Sequence, residues 1–244
     1  MFLAIALSLS TAQATDSRLV AYANEIDRSF ESMGAILVDD LAVASLQTLA
    51  RRLSPTTSRT IRLLRHPSAN AFAMPNDDIY LHTGLLLRVV TETELAALLA
   101  HEIAHSELGH FDRPPESLNR LSNSRSIKDE AAADNTAIEM LSGAGYCPAA
   151  AAQFFRRLQQ ERADTRRDTD FAGSHPSLGE RLARWAGSRC DRTSAANRVI
   201  QSFDVFRNAR LDALTQLALQ QRGGTLVYLS SVESVREALG HDGE

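Results

Sequence analysis

The chain has 244 residues, enough for one sizeable core with an appendage. Its content of 44% hydrophobic and 23% charged residues is ordinary for a globular protein and argues against a disordered or fibrous chain. The formal net charge of −4, with no basic tract, argues against nucleic acid as a partner.

The first fourteen residues, MFLAIALSLSTAQA, form a short apolar run that ends in the small-x-small pattern Ala12-Gln13-Ala14. That pattern marks a signal-peptidase site, and the run is too short to span a bilayer. It reads as an export signal at residues 1–14, cleaved after Ala14, although no basic segment precedes it. A buried N-terminal helix is the alternative. No other stretch approaches spanning length, so no transmembrane segment is expected in the mature chain.

Helical periodicity runs from Asp16 to about Ser32 and from Asp39 to Leu53. Pro55-Thr-Thr-Ser breaks it, and Thr60 to Leu64 reads as a strand. Between Ser68 and Leu87, two apolar runs flank the turn signal Pro75-Asn-Asp-Asp, which predicts a strand-turn-strand unit. Thr91 and Glu94 form a T-x-x-E capping box that opens a helix reaching about Gly109. Arg113 to Ser126 reads as a loop. Ile127 to Ser142 is helical and stops at Gly143. Pro148 starts a helix to about Arg162, and Pro176 to about Ser188 is another, after a polar loop. The last fifty residues offer a helix near Asp204 to Arg222, the strand-like TLVYLS and a short terminal helix. Cys147 and Cys190 are the only cysteines. In an exported chain they form either one disulfide or two separate buried thiols, and neither has metal-site spacing.

The chemistry concentrates in LLAHEIAHSELGH, Leu98 to His110, which places three of the seven histidines in an Ala- and Leu-rich helix. Residues four apart share a helix face, so His101 and His105 can bind one tetrahedral zinc. Glu102 can reach the open position and take a proton from water there, which is the H-E-x-x-H arrangement. Leu95, Leu98, Leu99 and Ile103 bury this helix on most sides, and incidental polar groups there would be costly. A third ligand is available in DEAAAD, where Glu130 and Asp134 are again four apart and flank three alanines. The economical assignment puts Glu130 on the metal and has Asp134 accept the other ring N–H of a ligating histidine.

H-E-I-A-H-S-E-L-G-H followed by E-A-A-A-D resembles the HtpX and CAAX-prenyl-protease family of gluzincin metallopeptidases, most of all its soluble periplasmic BepA-like branch. N-A-F-A-M-P, from Asn70 to Pro75, is similar to the family's cleft-edge strand. S-H-P-S-L-G-E-R, from Ser174 to Arg181, is similar to its T-H-P-x-x-x-x-R motif. The likeness covers about Ile61 to Trp185. Ser174 stands where Thr is usual, and Asn76-Asp77-Asp78 stands where a Gly-rich turn is usual.

The resemblance implies an α+β, mainly helical fold, with a zincin-like core whose small edge-strand sheet lies over the HExxH helix. It implies a zinc metallopeptidase domain at 15–190 and a C-terminal extension of unknown role at 191–244. One zinc per chain would be held by His101, His105 and Glu130, with Asp134 and Arg181 supporting them. His175 would stabilise an oxyanion or cap the metal. Substrate would lie extended along Asn70, Ala71, Phe72 and Ala73. The partners implied are unfolded or misassembled envelope polypeptides in a bacterial periplasm, and membrane-protein assembly factors. Two rival readings remain: a zinc hydrolase of a non-peptide substrate, and a chaperone or assembly factor whose protease-like site is plugged. His110 stands at a position where the family commonly has histidine but has no evident role, and His66, His82 and His241 read as structural or exposed.

Overall fold

In the computed structural model, residues 17–111, 127–165, 178–190 and 204–221 are described. The run at 1–14, the loop 113–126, His175, the strand expected at 225–230 and His241 lie outside them.

One helix organises the rest. The helix α4 (Glu92–Glu107) is buried without interruption from Thr93 to His105, so it must be packed on every side. Thr91 caps it by accepting a hydrogen bond from the Glu94 amide. Glu94 does not close the expected box on Thr91. Its carboxylate accepts from the Val90 amide at 2.7 Å and from Arg157 at 2.6 Å, because a buried carboxylate takes the nearest charge-assisted partner.

Around α4 pack α2 (Asp40–Leu53), α5 (Ile127–Gly143), α6 (Pro148–Thr165) and a small mixed sheet. The sheet contains β1 (Ile36–Leu37), β2 (Ile61–Leu64), β3 (Ala71–Ala73) and β4 (Ile79–His82), in the order β1-β2-β4-β3. β1 and β3 pair antiparallel with their neighbours, whereas β2 and β4 are parallel. Ile61, Leu63, Ile79 and Leu81 face the main core, following the two-residue alternation of a strand. The opposite face carries Arg62 and Tyr80 and is covered by α1 (Ser17–Ser32). There Asp27 accepts from the Tyr80 hydroxyl at 2.6 Å and from Arg62 at 2.7 Å.

The β3–β4 turn forms where Pro75-Asn-Asp-Asp predicted it, with Asp77 at φ 65°, a conformation Asp tolerates better than most residues. The apolar run after β4 departs from expectation. Leu85–Arg88 is a short helix, α3, rather than more strand. It starts at Gly84, where a Cβ would meet the Pro67 carbonyl oxygen at 2.0 Å, so the two backbones can touch only because glycine is there.

Cys147, just before α6, and Cys190, beyond α7 (Leu178–Ala186), are joined as a disulfide. Phe155 and Trp185 pack between these helices. A 3-10 turn (Asp204–Phe206) and the helix α8 (Arg207–Gln221) bury Phe206 and Ala209, respectively, in the same core. Its Asp212 accepts from Thr83 at 3.0 Å. This segment, numbered within the C-terminal extension, is thus packed against α2 and α3 and bonded to Arg65 and Thr83, just beyond β2 and β4. Among the described residues, no helix is long and apolar enough to cross a membrane.

Candidate metal centre

The small residues of α5 let it lie close against α4, with Ala133 and Ala137 fully buried between them. This brings together side chains from both helices. His101 and His105 stand one turn apart with their Nε2 atoms 3.0 Å from each other. Glu130 places Oε2 3.2 Å from His101 Nε2 and Oε1 3.3 Å from His105 Nε2. All three residues are buried, and they form the one group of potential metal ligands found among the described residues.

The donor set and its spacing fit a metal ion. Metal–nitrogen and metal–oxygen bonds of about 2.0–2.1 Å put tetrahedral ligand atoms about 3.3 Å apart. The two imidazole nitrogens lie 3.0 Å apart, close to that edge length, with one Glu130 oxygen near each of them at 3.2 and 3.3 Å, and one donor atom from each residue lies within 4.8 Å of the others. Two imidazoles with one carboxylate are also the donors of catalytic zinc sites that keep a fourth position open. Electrostatics point the same way. Burial and the Arg181 charge oppose a positive His101, yet its bonds to Asp134 and Glu130 outweigh them and raise its pKa. The centre therefore favours positive charge, which a metal ion supplies in place of that proton.

Asp134 lies 3.0 Å from His101 Nδ1. It can accept the proton there and leave the Nε2 lone pair aimed at Glu130 and His105. α7 supplies the counter-charge. Arg181 reaches Asp134 Oδ1 at 2.8 Å and stacks over Phe155, and Arg184 reaches Oδ2 at 3.1 Å. Burial alone would raise the Asp134 pKa, but chiefly the Arg181 charge and then the His101 ring hold it well below the carboxylate range.

Glu102 points to the sheet. Its Oε2 accepts from the Ala73 amide at 2.9 Å, tying the H-E-x-x-H carboxylate to β3. In the β3–β4 ladder, the bonds from His82 N to Asn70 O and from Met74 N to Asp78 O fix the alternation. The backbone groups of Ala71 and Ala73 thus face away from β4. Phe72 turns to the other face and stacks on Tyr80.

Most residues singled out in the sequence therefore lie together: His101, Glu102 and His105 on α4, Glu130 and Asp134 on α5, Arg181 on α7, and Ala73 on β3. His175 is outside the described residues. From the sequence alone, His110 has no evident role. Its Nδ1 lies 2.8 Å from His105 Nδ1, and the signal was Gly109, whose positive φ ends the helix and turns the chain back.

A family model described as Peptidase family M48 matches residues 38–114 and 115–187. A beta-barrel assembly-enhancing protease of Yersinia pestis is 32% identical over 99 residues, covering 38% of this chain and 20% of the relative. The Escherichia coli protein of that name is 24% identical over 232 residues, covering 77% and 46%. Mitochondrial metalloendopeptidase OMA1 of Schizosaccharomyces pombe is 26% identical over 148 residues, covering 50% and 44%. In each case the match spans less than half of the relative's own length.

Proposed function

The chain belongs to peptidase family M48, so its domain is a metallopeptidase domain, and from that premise we propose that the protein is a zinc-dependent endopeptidase acting on unfolded or misassembled envelope proteins. The observation that carries this reading is the buried convergence of His101, His105 and Glu130, with Glu102 alongside and tied to β3.

His101 Nε2, His105 Nε2 and a Glu130 oxygen would hold one zinc ion. Bound there, zinc supplies a Lewis acid that polarises the scissile carbonyl and makes water more acidic. Glu102 takes the proton from the attacking water and later delivers it to the leaving amine. The Ala73 amide holds that carboxylate in place through Oε2. Asp134 fixes the His101 tautomer, and Arg181 keeps Asp134 ionised. An extended substrate would pair with the backbone of Ala71 and with the Ala73 carbonyl, the Ala73 amide being engaged by Glu102, a mode that reads main chain more than side chains and suits unfolded polypeptides. His175 has only its motif in support, as a group that stabilises an oxyanion or caps the metal.

Action in the bacterial periplasm is supported by the Cys147–Cys190 disulfide, which suits an oxidising compartment, and by relatives named beta-barrel assembly-enhancing protease. Membrane-protein assembly factors are the partners this implies. The test compares wild type with Glu102→Gln for zinc content and for casein hydrolysis. Both proteins should carry one zinc, while the variant loses hydrolysis by several orders of magnitude. An active Glu102→Gln protein would refute the mechanism. A zinc-loaded wild type inert towards casein would favour the assembly-factor reading.

A further inference from the structure

Resting on the reading of the centre as a metal site, we propose that His110 is the positioning residue of His105, delivered to it by the turn that ends α4. The turn is a Schellman motif. Leu108 caps the helix with its amide on the Ala104 carbonyl. Gly109 adopts φ 65°, its amide bonds the Ser106 carbonyl at 3.1 Å, and the His110 amide bonds the His105 carbonyl at 3.0 Å. This reversal lays the residue after the glycine against the residue three positions before the cap. That contact is frequently between two apolar side chains. Here it joins two imidazoles, with ring centres 4.9 Å apart and Nδ1 atoms at 2.8 Å.

Two ring nitrogens at that distance share a single proton. His105 Nε2 faces His101 and Glu130 and must keep its lone pair to serve as a ligand, so its proton sits on Nδ1. His105 therefore donates and His110 Nδ1 accepts. The His110 proton is then on Nε2, the side that faces Asp129 Oδ1 on the first turn of α5, at 3.8 Å. The His110 side chain is only 10% exposed, so water does not readily take its place. The bond fixes the tautomer and ring plane of His105 and makes its Nε2 a better donor, as Asp134 does for His101. His101 thus takes its partner from another helix, and His105 takes its partner from its own helix end.

The experiment titrates zinc into metal-free protein against a competing chelator, using His110→Leu, which has no acceptor, and His110→Asn, which offers Oδ1 near the Nδ1 position. His110→Leu should bind zinc about 10- to 100-fold more weakly. His110→Asn should stay close to wild type, while the metal-free melting temperatures of the two variants agree. A purely structural role would not separate the two variants in zinc affinity. A His110→Leu protein that binds as tightly as wild type, or a His110→Asn protein as weak as His110→Leu, overturns the inference alone. A wild type that takes up no zinc overturns the metal reading and the inference with it. Should a variant fail to fold, the wild type decides by NMR. A through-hydrogen-bond coupling between His105 Nδ1 and His110 Nδ1 supports the proposal, and its absence overturns it.

Discussion

Two histidine pairs among the described residues have ring centres 4.6 Å apart, His101 with His105 and His66 with His82, yet one member of each, His101 and His82, is shifted in opposite directions. The first pair has Glu130 and Asp134 against it, and His101 is held above the ordinary histidine pKa in spite of complete burial. The second pair meets at the Ser68 hydroxyl, 2.8 Å from His66 Nδ1 and 2.7 Å from His82 Nδ1. There burial first, and then the His66 charge, push His82 down to about 3. Ring separation therefore does not decide whether buried imidazoles gather positive charge. The carboxylates do. With them, the first pair can hold a cation. His82, shifted by burial and by His66, stays neutral and helps tie the segment leading into β3 to β4, where its amide bonds the Asn70 carbonyl at 3.0 Å.

The largest effect should come from making the first pair resemble the second. Glu130→Gln keeps the shape and removes the anion. Zinc affinity should fall on the order of a thousandfold or more, since a charged ligand is lost from a site that must be assembled by folding. Chelator competition measures this, and unchanged affinity would remove Glu130 from the ligand set.

Asp134→Asn comes next. Arg181 is 1% exposed and loses its main anion, which should cost about 3–5 kcal/mol in denaturant unfolding. Adding Arg181→Met should recover part of that loss, because the buried cation goes too. A double variant no better than the single one would show that the guanidinium stabilises through its stacking on Phe155 and not through the ion pair.

How much of this was legible in the sequence depends on distance along the chain. Within one helix, the 3.6-residue period fixes the geometry, so His101 with His105, and Glu130 with Asp134, could be read from spacing. The T-x-x-E start of α4 and the Pro75-Asn-Asp-Asp turn were readable for the same local reason. What joins separate segments was not. β1 has two residues, too few for any alternation, and the parallel pairing of β2 with β4 has no local signature. Leu85–Arg88 continues the apolar run of β4, and although Leu and Arg are good helix formers, four residues are too few for a helical period to show. The Glu102 bond to Ala73 crosses from a helix to a strand, and no motif records it. His110 is the exception, since Gly-His after a helix is a local pattern, but its meaning required knowing which way the turn folds back.

The smallest effect, and the most direct test of the contrast, lies in the second pair. A histidine whose folded pKa is about 3, against about 6.5 unfolded, costs nothing above pH 6.5. As pH falls through that window the unfolded chain takes up a proton that folded His82 refuses, so stability declines progressively towards pH 3. Asp78 and Asp212, whose pKa values burial raises, act with the opposite sign, so the difference between wild type and a His82 variant isolates the effect. His82→Asn keeps a polar group near Ser68 and does not titrate, and its stability curve should be flatter between pH 6.5 and 3 than that of wild type. Ser68→Asp places a carboxylate beside His82, whose shift has no anion among its causes. A negative charge at that distance should raise the His82 pKa by about 1–3 units, read from its ring proton shifts, and weaken the acid dependence accordingly. If His82 still titrates near 3 beside that carboxylate, burial alone governs its charge, and the carboxylates cannot be what sets the two pairs apart.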